Sequence, residues 1–203
     1  MDTKELLISK ATELFAKNGY DGTTVKGIAD AAGTNVSLVS YHFGGKEALF
    51  HECIKKFGEE QISVAYKILQ HPKSIQEFKV RFEVFIDELI KSYIEKADLM
   101  ALVHSEFESG NIHVTEICKS SFFKAFNMVV DFFESSQKQG FIKKDVDVAT
   151  IAFLILTAVK NTFIHPSLRK PFLKYSVETE EGRKKFKENI MKIFLEGIYK
   201  EKR

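Results

Sequence analysis

Residues 24–43 read TVKGIADAAGTNVSLVSYHF, and the organisation of the chain can be worked outward from them. Thr24 is an N-cap residue ahead of an apolar stripe, Val25, Ile28, Ala29 and Ala32. The stripe stops at Gly33, where a residue without Cβ can take positive φ. Asn35 then caps a second helix from Val36 to about Phe43, and Gly44-Gly45 breaks the chain. A first helix, a small residue at Ala29 for a close crossing, a turn of three or four residues and a second helix have the spacing of a helix-turn-helix. That geometry places the second helix in a DNA major groove. The same spacing serves any small αα corner, so it does not by itself assign a function.

The flanks are helical as well. Asp2 and Glu5 have capping-box spacing, and Leu7, Ala11, Leu14 and Phe15 recur at helical intervals, predicting a helix over Thr3 to Asn18 before Gly19. Lys46 begins a long helix that ends before His71-Pro72. Ser74 and Glu77 form a second capping box, followed by Phe78, Phe82, Phe85, Leu89 and Tyr93. A shorter helix from Asp98 to Glu108 precedes one that carries Ile117, Phe122, Phe126, Val129, Val130 and Phe133 up to Gly140. Asp147 caps a helix to Phe163, His165-Pro166 to Pro171 is a loop, and a last helix from Glu180 to Lys200 carries Phe186, Ile190, Ile193, Phe194 and Ile198. No segment alternates long enough to demand a strand, so the expected fold is all-α.

At 203 residues, 44% hydrophobic and 29% charged, with 11 Gly and 3 Pro, the chain has the composition of a helix-leaning protein with a sizeable core, not of a disordered or collagenous one. The N-terminus has neither the basic start nor the apolar middle of a signal peptide. The longest apolar run, Ile151 to Leu156, is far shorter than the ~20 residues of a membrane-spanning helix. Cys53 and Cys118 lie far apart with no CxxC partner, which argues against a disulfide scaffold or zinc finger. A cytoplasmic protein with no membrane partner is expected. A net charge of +2 leaves the partner open.

With Ala11, Leu14-Phe15, Gly19-Tyr20, Thr23-Thr24-Val25, Ile28-Ala29, Ala32-Gly33 and the block Tyr41-His42-Phe43-Gly44-Gly45-Lys46-Glu47-Ala48-Leu49-Phe50 in order and without gaps, the stretch Leu6 to Phe50 resembles the DNA-binding region of the TetR family of bacterial transcriptional regulators. The resemblance covers about a quarter of the chain. It implies a helix-turn-helix DNA-binding domain over residues 1–45 and a helical ligand-binding and dimerisation domain over 46–203. The implied function is a ligand-responsive repressor that leaves its operator when a small apolar or amphipathic molecule binds. Alternatives are a DNA-binding regulator without an inducer, or an all-α lipid-sequestering protein or enzyme with a relic helix-turn-helix.

Within this frame Lys26 and Lys46 are candidates for phosphate contact, the latter at a helix N-terminus that also attracts anions. Thr24 combines N-cap and phosphate ligand. Asn35 caps the recognition helix, while Val36 and Ser37 face the bases with a methyl contact for thymine and an undirected hydroxyl. His42 reaches toward a phosphate, and Tyr41 and Phe43 are expected to pack. Leu38 and Ser40 stand where many members carry Thr and Tyr, which weakens two customary backbone contacts; Ser40 remains a candidate. Up to Phe50 the lysines, Lys4, Lys10, Lys17, Lys26 and Lys46, face one more acid than their own number.

No nucleophile elbow, P-loop or dinucleotide fingerprint occurs, so no catalytic residue and no cofactor are expected. His104 and Glu108, with His113 nearby, have spacing open to a metal, but such pairs are common on polar helix faces and no metal is expected. Phe82, Phe85, Phe122 and Phe126 are expected to line an apolar ligand pocket, with His104 or Glu106 as its polar anchor. The nearly all-apolar helix after Asp147 requires partners on both sides. In the resembled family the last two long helices of two chains form a four-helix bundle, here implying a homodimer through Leu154, Leu156, Phe186, Ile190 and Phe194.

Overall fold

The computed structural model describes residues 2–110, 112–164, 169 and 171–196. Nine α-helices run through them, with no β-strand among the described residues: α1 (Thr3–Gly22), α2 (Val25–Ala31), α3 (Val36–Phe43), α4 (Lys46–Ile68), α5 (Ile75–Glu95), α6 (Ala97–Glu108), α7 (Ile112–Lys138), α8 (Val148–Ile164) and α9 (Glu180–Met191). A π-helical turn, Lys192–Glu196, continues α9. Ile198, the end of the last expected helix and the His165-Pro166 segment lie outside the described residues, as do the side chains of His113 and Cys118. No helix among the described residues is long and apolar enough to cross a membrane.

Most expected caps form. The Thr24 hydroxyl accepts from Gly27 N–H at 3.0 Å, the Ser74 hydroxyl from Glu77 N–H at 3.1 Å, and the Asp147 carboxylate from Thr150 N–H at 2.6 Å. Each satisfies a donor that the first helical turn leaves unpaired. The capping box expected at Asp2 does not form: Asp2 makes no side-chain cap, and Glu5 instead pairs with Lys56 of α4. α1 also extends past Asn18 to Gly22, interrupted at Gly19 by a non-helical φ of 74°.

The chain packs as two units, residues 1–61 with 98–122, and 62–97 with 123–203. Packing therefore divides the chain within α4 and not at the 45/46 division drawn from the sequence. The reason lies in the first unit's core, where Leu49, Phe50, Cys53 and Ile54 of α4 join Leu7, Ile8, Ala11 and Phe15 of α1, Ile28 and Ala32 near α2, and Val39 of α3. Leu102, Val103 and Ile117 cover the same core from α6 and α7. Three short helices bury too little apolar surface alone, and the added helices supply the rest.

The second unit is built on phenylalanine. Phe78 and Phe82 of α5 and Phe132 and Phe133 of α7 are fully buried, with ring centroids 5.3 Å apart for Phe78–Phe132 and 5.6 Å for Phe82–Phe133. Burying each such ring contributes roughly 1.5–3 kcal/mol. Arg81 joins α4 to α5 by donating to the Ile68 carbonyl and to Glu77, both at 2.8 Å. Lys187 of α9 holds Asp87 at 2.8 Å and Glu83 at 3.0 Å. Partial burial alone would lower the Lys187 pKa, but hydrogen bonds and charge from the two carboxylates outweigh it and raise it. Beside this clasp a cleft of about 400 Å³ runs between α5 and α9 over Ile90. At Gly182 a Cβ would lie 1.7 Å from the Ser176 carbonyl, so only glycine lets α9 start this close to the preceding loop.

Two measurements check this account. Burial pushes the Cys53 thiol up to about 11, so in a Cys118→Ser background it should resist alkylation at neutral pH until the protein unfolds; labelling at the rate of a free thiol would contradict that core. The Glu77 carboxylate is lowered by Lys73 N–H and then Arg81, and Asp147 by its hydrogen bonds to Thr150. Their contribution should be complete above the unfolded carboxylate range, about pH 4, and fade as pH falls through their lower folded values. The stability lost in Glu77→Gln and Asp147→Asn, measured by denaturant titration near neutral pH, should vanish in strong acid.

Candidate nucleic-acid interface

The site begins where α2 ends. Thr34 N–H donates to the Ala29 carbonyl at 2.9 Å and Gly33 N–H to the Asp30 carbonyl at 3.1 Å, with Gly33 at φ 61°. This paired 6→1 and 5→2 closure turns the chain sharply and leaves it extended at Asn35. Asn35 Oδ1 accepts from both the backbone N–H and the hydroxyl of Ser37, each at 2.9 Å, and so starts α3. Ala29 and Val39 are fully buried, and with Ile28 they settle how α2 and α3 sit on the core.

α3 thereby presents one outward strip. Val36 is 41% and Tyr41 80% exposed, and Ser37 and Ser40 are exposed between them. At ~1.5 Å per residue this eight-residue helix is about 12 Å long, a length that a major groove about 12 Å wide accommodates. Thr24 and Lys26 are exposed on the neighbouring α2, and Lys26 makes no ion pair among the described residues. Lys46 is the first residue of α4, half-buried, with its Nζ 4.3 Å from the centre of the Tyr20 ring. His42 is half-buried, its ring 5.0 Å from that of Tyr41.

Two sequence expectations change. Tyr41, expected to pack, is the most exposed large side chain of α3, whereas Phe43 packs against the first core as expected. Tyr41 stands four residues after Ser37, a helical spacing that places the two on one face. The Ser37 hydroxyl is not undirected: its proton is committed to Asn35, leaving its oxygen as an acceptor.

The other candidates divide between the units. Phe82 and Phe85 are core residues of the second unit and Phe126 packs half-buried against them, while His104, Glu106 and Phe122 belong to the first. His104 Nε2 lies 3.9 Å from Glu108. Of the dimer candidates, Phe186 and Ile190 are buried in their own chain's core, Leu156 and Phe194 are half-buried, and Leu154 is 46% exposed. Phe153 and, at 66%, Ile193 are exposed apolar residues that the sequence candidates omit.

An exposed α3, capped by Asn35 and set on a buried crossing with α2, is a helix-turn-helix. Residues 7–53 match the sequence profile of the bacterial regulatory proteins of the tetR family. It is similar to the biofilm operon icaADBC negative transcriptional regulator IcaR of Staphylococcus aureus, 24% identical over 95% of this chain and 98% of that one. The match to the HTH-type transcriptional regulator YttP of Bacillus subtilis, at 39% identity, spans 59 residues, 29% of this chain and 28% of the relative. The fold is shared with FadR of Bacillus subtilis, solved in complex with stearoyl-CoA, at a TM-score of 0.75 and 17% identity over 96% and 99% of the two chains.

The αL turn yields a test. Nothing lies within 4 Å of a Cβ built at Gly33, so Gly33→Ala should cost about 1 kcal/mol through backbone conformation alone. Gly33→Asn should cost less, since Asn tolerates positive φ better. Denaturant unfolding of the two variants checks the order.

Proposed function

We propose that this regulator is a homodimeric repressor, reading DNA through the helix-turn-helix of α2 and α3 and releasing it when a small apolar or amphipathic molecule binds among the helices that follow. The exposed strip on α3 carries the DNA reading. Val36 offers a methyl contact to thymine, and Ser37, as an acceptor, pairs with an adenine or cytosine amino group. Thr24, Lys26, Ser40, His42 and Lys46 hold phosphates on either side, while Asn35 keeps α3 in place. The head carries little net charge, so phosphate attraction alone is weak and two copies on paired half-sites about one DNA turn apart supply the affinity.

The dimer reading is supported by Phe153 and Leu154 on α8 and Ile193 beyond α9, apolar residues exposed among the described residues. A second copy covers them in a bundle of α8 and α9 from each chain. The ligand reading draws on the aromatic composition around α5 and α7 and on the acyl-CoA held by FadR, a protein of this fold. Because Phe82 and Phe85 are packed with Phe78, Phe132 and Phe133, a regulator without an inducer is the second reading.

Binding to a duplex from upstream of its own gene, titrated with salt, tests the function. The affinity should fall steeply with salt and should be lost on adding one member of a panel of fatty acids, acyl-CoAs and aromatic compounds, the same compound raising the melting temperature. Absence of DNA binding at low salt overturns the regulator reading of this surface. Binding that no compound affects favours the second reading. Leu154→Asp should convert the dimer to a monomer in sedimentation and abolish operator binding, because a buried unpaired charge costs several kcal/mol. A wild-type protein that sediments as a monomer at micromolar concentration removes the dimer.

A further inference from the structure

Tyr20 follows the kink at Gly19 and is half-buried, its ring centre 5.9 Å from that of Phe15 and 4.8 Å from that of Phe50. Phe15 and Phe50 are themselves buried, with centres 4.8 Å apart, so the Tyr20 ring rests on a rigid aromatic base. Lys46 Nζ stands 4.3 Å from the Tyr20 centre, inside the ~6 Å range of a cation–π contact. A lysine has four rotatable bonds to order before it can meet a phosphate, and ordering it in advance removes that cost from binding.

We propose that Tyr20 is a positioning residue for DNA binding: its ring holds the Lys46 ammonium at the N-terminus of α4, ready for a phosphate. The inference rests on the reading above that Lys46 contacts phosphate. The contact uses the electron-rich ring face and leaves the ammonium's donors for the anion. Burial, followed by the charges of Glu47, Asp21 and Glu106, raises the Tyr20 pKa, so the ring stays a neutral phenol. Those acids also surround the site with negative charge, and a cation anchored on a ring is kept from folding back onto them.

Binding to a short mixed-sequence duplex, followed by anisotropy across a salt series, tests the proposal, since a phosphate contact is independent of sequence. Lys46→Ala should lower the salt slope by about one. Tyr20→Leu should weaken binding by about two- to fivefold, the scale of an exposed cation–π contact, with the slope unchanged. Tyr20→Phe should restore wild-type affinity, and in the Lys46→Ala background Tyr20→Leu should cost nothing more. If Lys46→Ala changes neither affinity nor slope, the phosphate role of Lys46 fails and the inference with it. If Lys46→Ala weakens binding while Tyr20→Leu does not, or the two losses add, the phosphate contact stands and the positioning role is overturned. Should Tyr20→Leu fail to fold, lysine side-chain NMR of the wild type decides, with Lys46→Ala assigning the signal. The Lys46 ε-methylene should be shifted upfield by the ring, and a position among the solvent-exposed lysines overturns the proposal.

Discussion

Two backbone hydrogen bonds, from Thr34 to Ala29 and from Gly33 to Asp30, determine where every exposed side chain of α3 points. They fix the angle at which the chain leaves α2, and Asn35 then has only to cap what the turn has aimed. The buried contacts of Ala29 and Val39 hold that angle against the rest of the first core. α3 is only eight residues long and would not persist alone in water. Its order is borrowed from the turn, the cap and the core beneath, which is why α4, α6 and α7 all contribute to the head's packing.

Local chemistry made much of this legible. Thr24, Ser74 and Asp147 cap as their side chains dictate, because an N-cap hydrogen bond depends on residues a few positions away and little else. Glu5 departed from its capping box because a lysine 51 positions later competes for the same carboxylate, and no local pattern contains that information. Tyr41 illustrates the same limit in reverse: helical spacing put it on the outward strip, while its composition argued for the interior. The aromatic stripe of α5 and the last helix read correctly as amphipathic, yet periodicity reports which residues share a face and not what that face meets. Phe186 and Ile190 meet their own core, whereas Phe153 and Ile193 do not.

The second unit shows what a phenylalanine-rich interior does for a protein without tryptophan. Rings stacked from α5 and α7 give a stiff wall in which each side chain restrains its neighbours, and a change in one is felt by several. The Lys187 clasp and the close approach at Gly182 hold α9 from two directions, one electrostatic and one steric. Specific chemistry on such a frame falls to the few polar groups at its edge.

Charge balance in the head reaches beyond the molecule. Lys10 is already paired with Glu13, and Lys56 with Glu5, so these lysines have partners before any DNA approaches. On the proposed DNA-reading role, counterion release from the chromosome at large would return little to this protein, and random sequence would detain it only briefly. Since competing sites outnumber operators by many orders of magnitude, a weak hold on them leaves more of the population free to search. On that same reading, a modestly charged head would let a cell keep its genes occupied with few copies of the regulator.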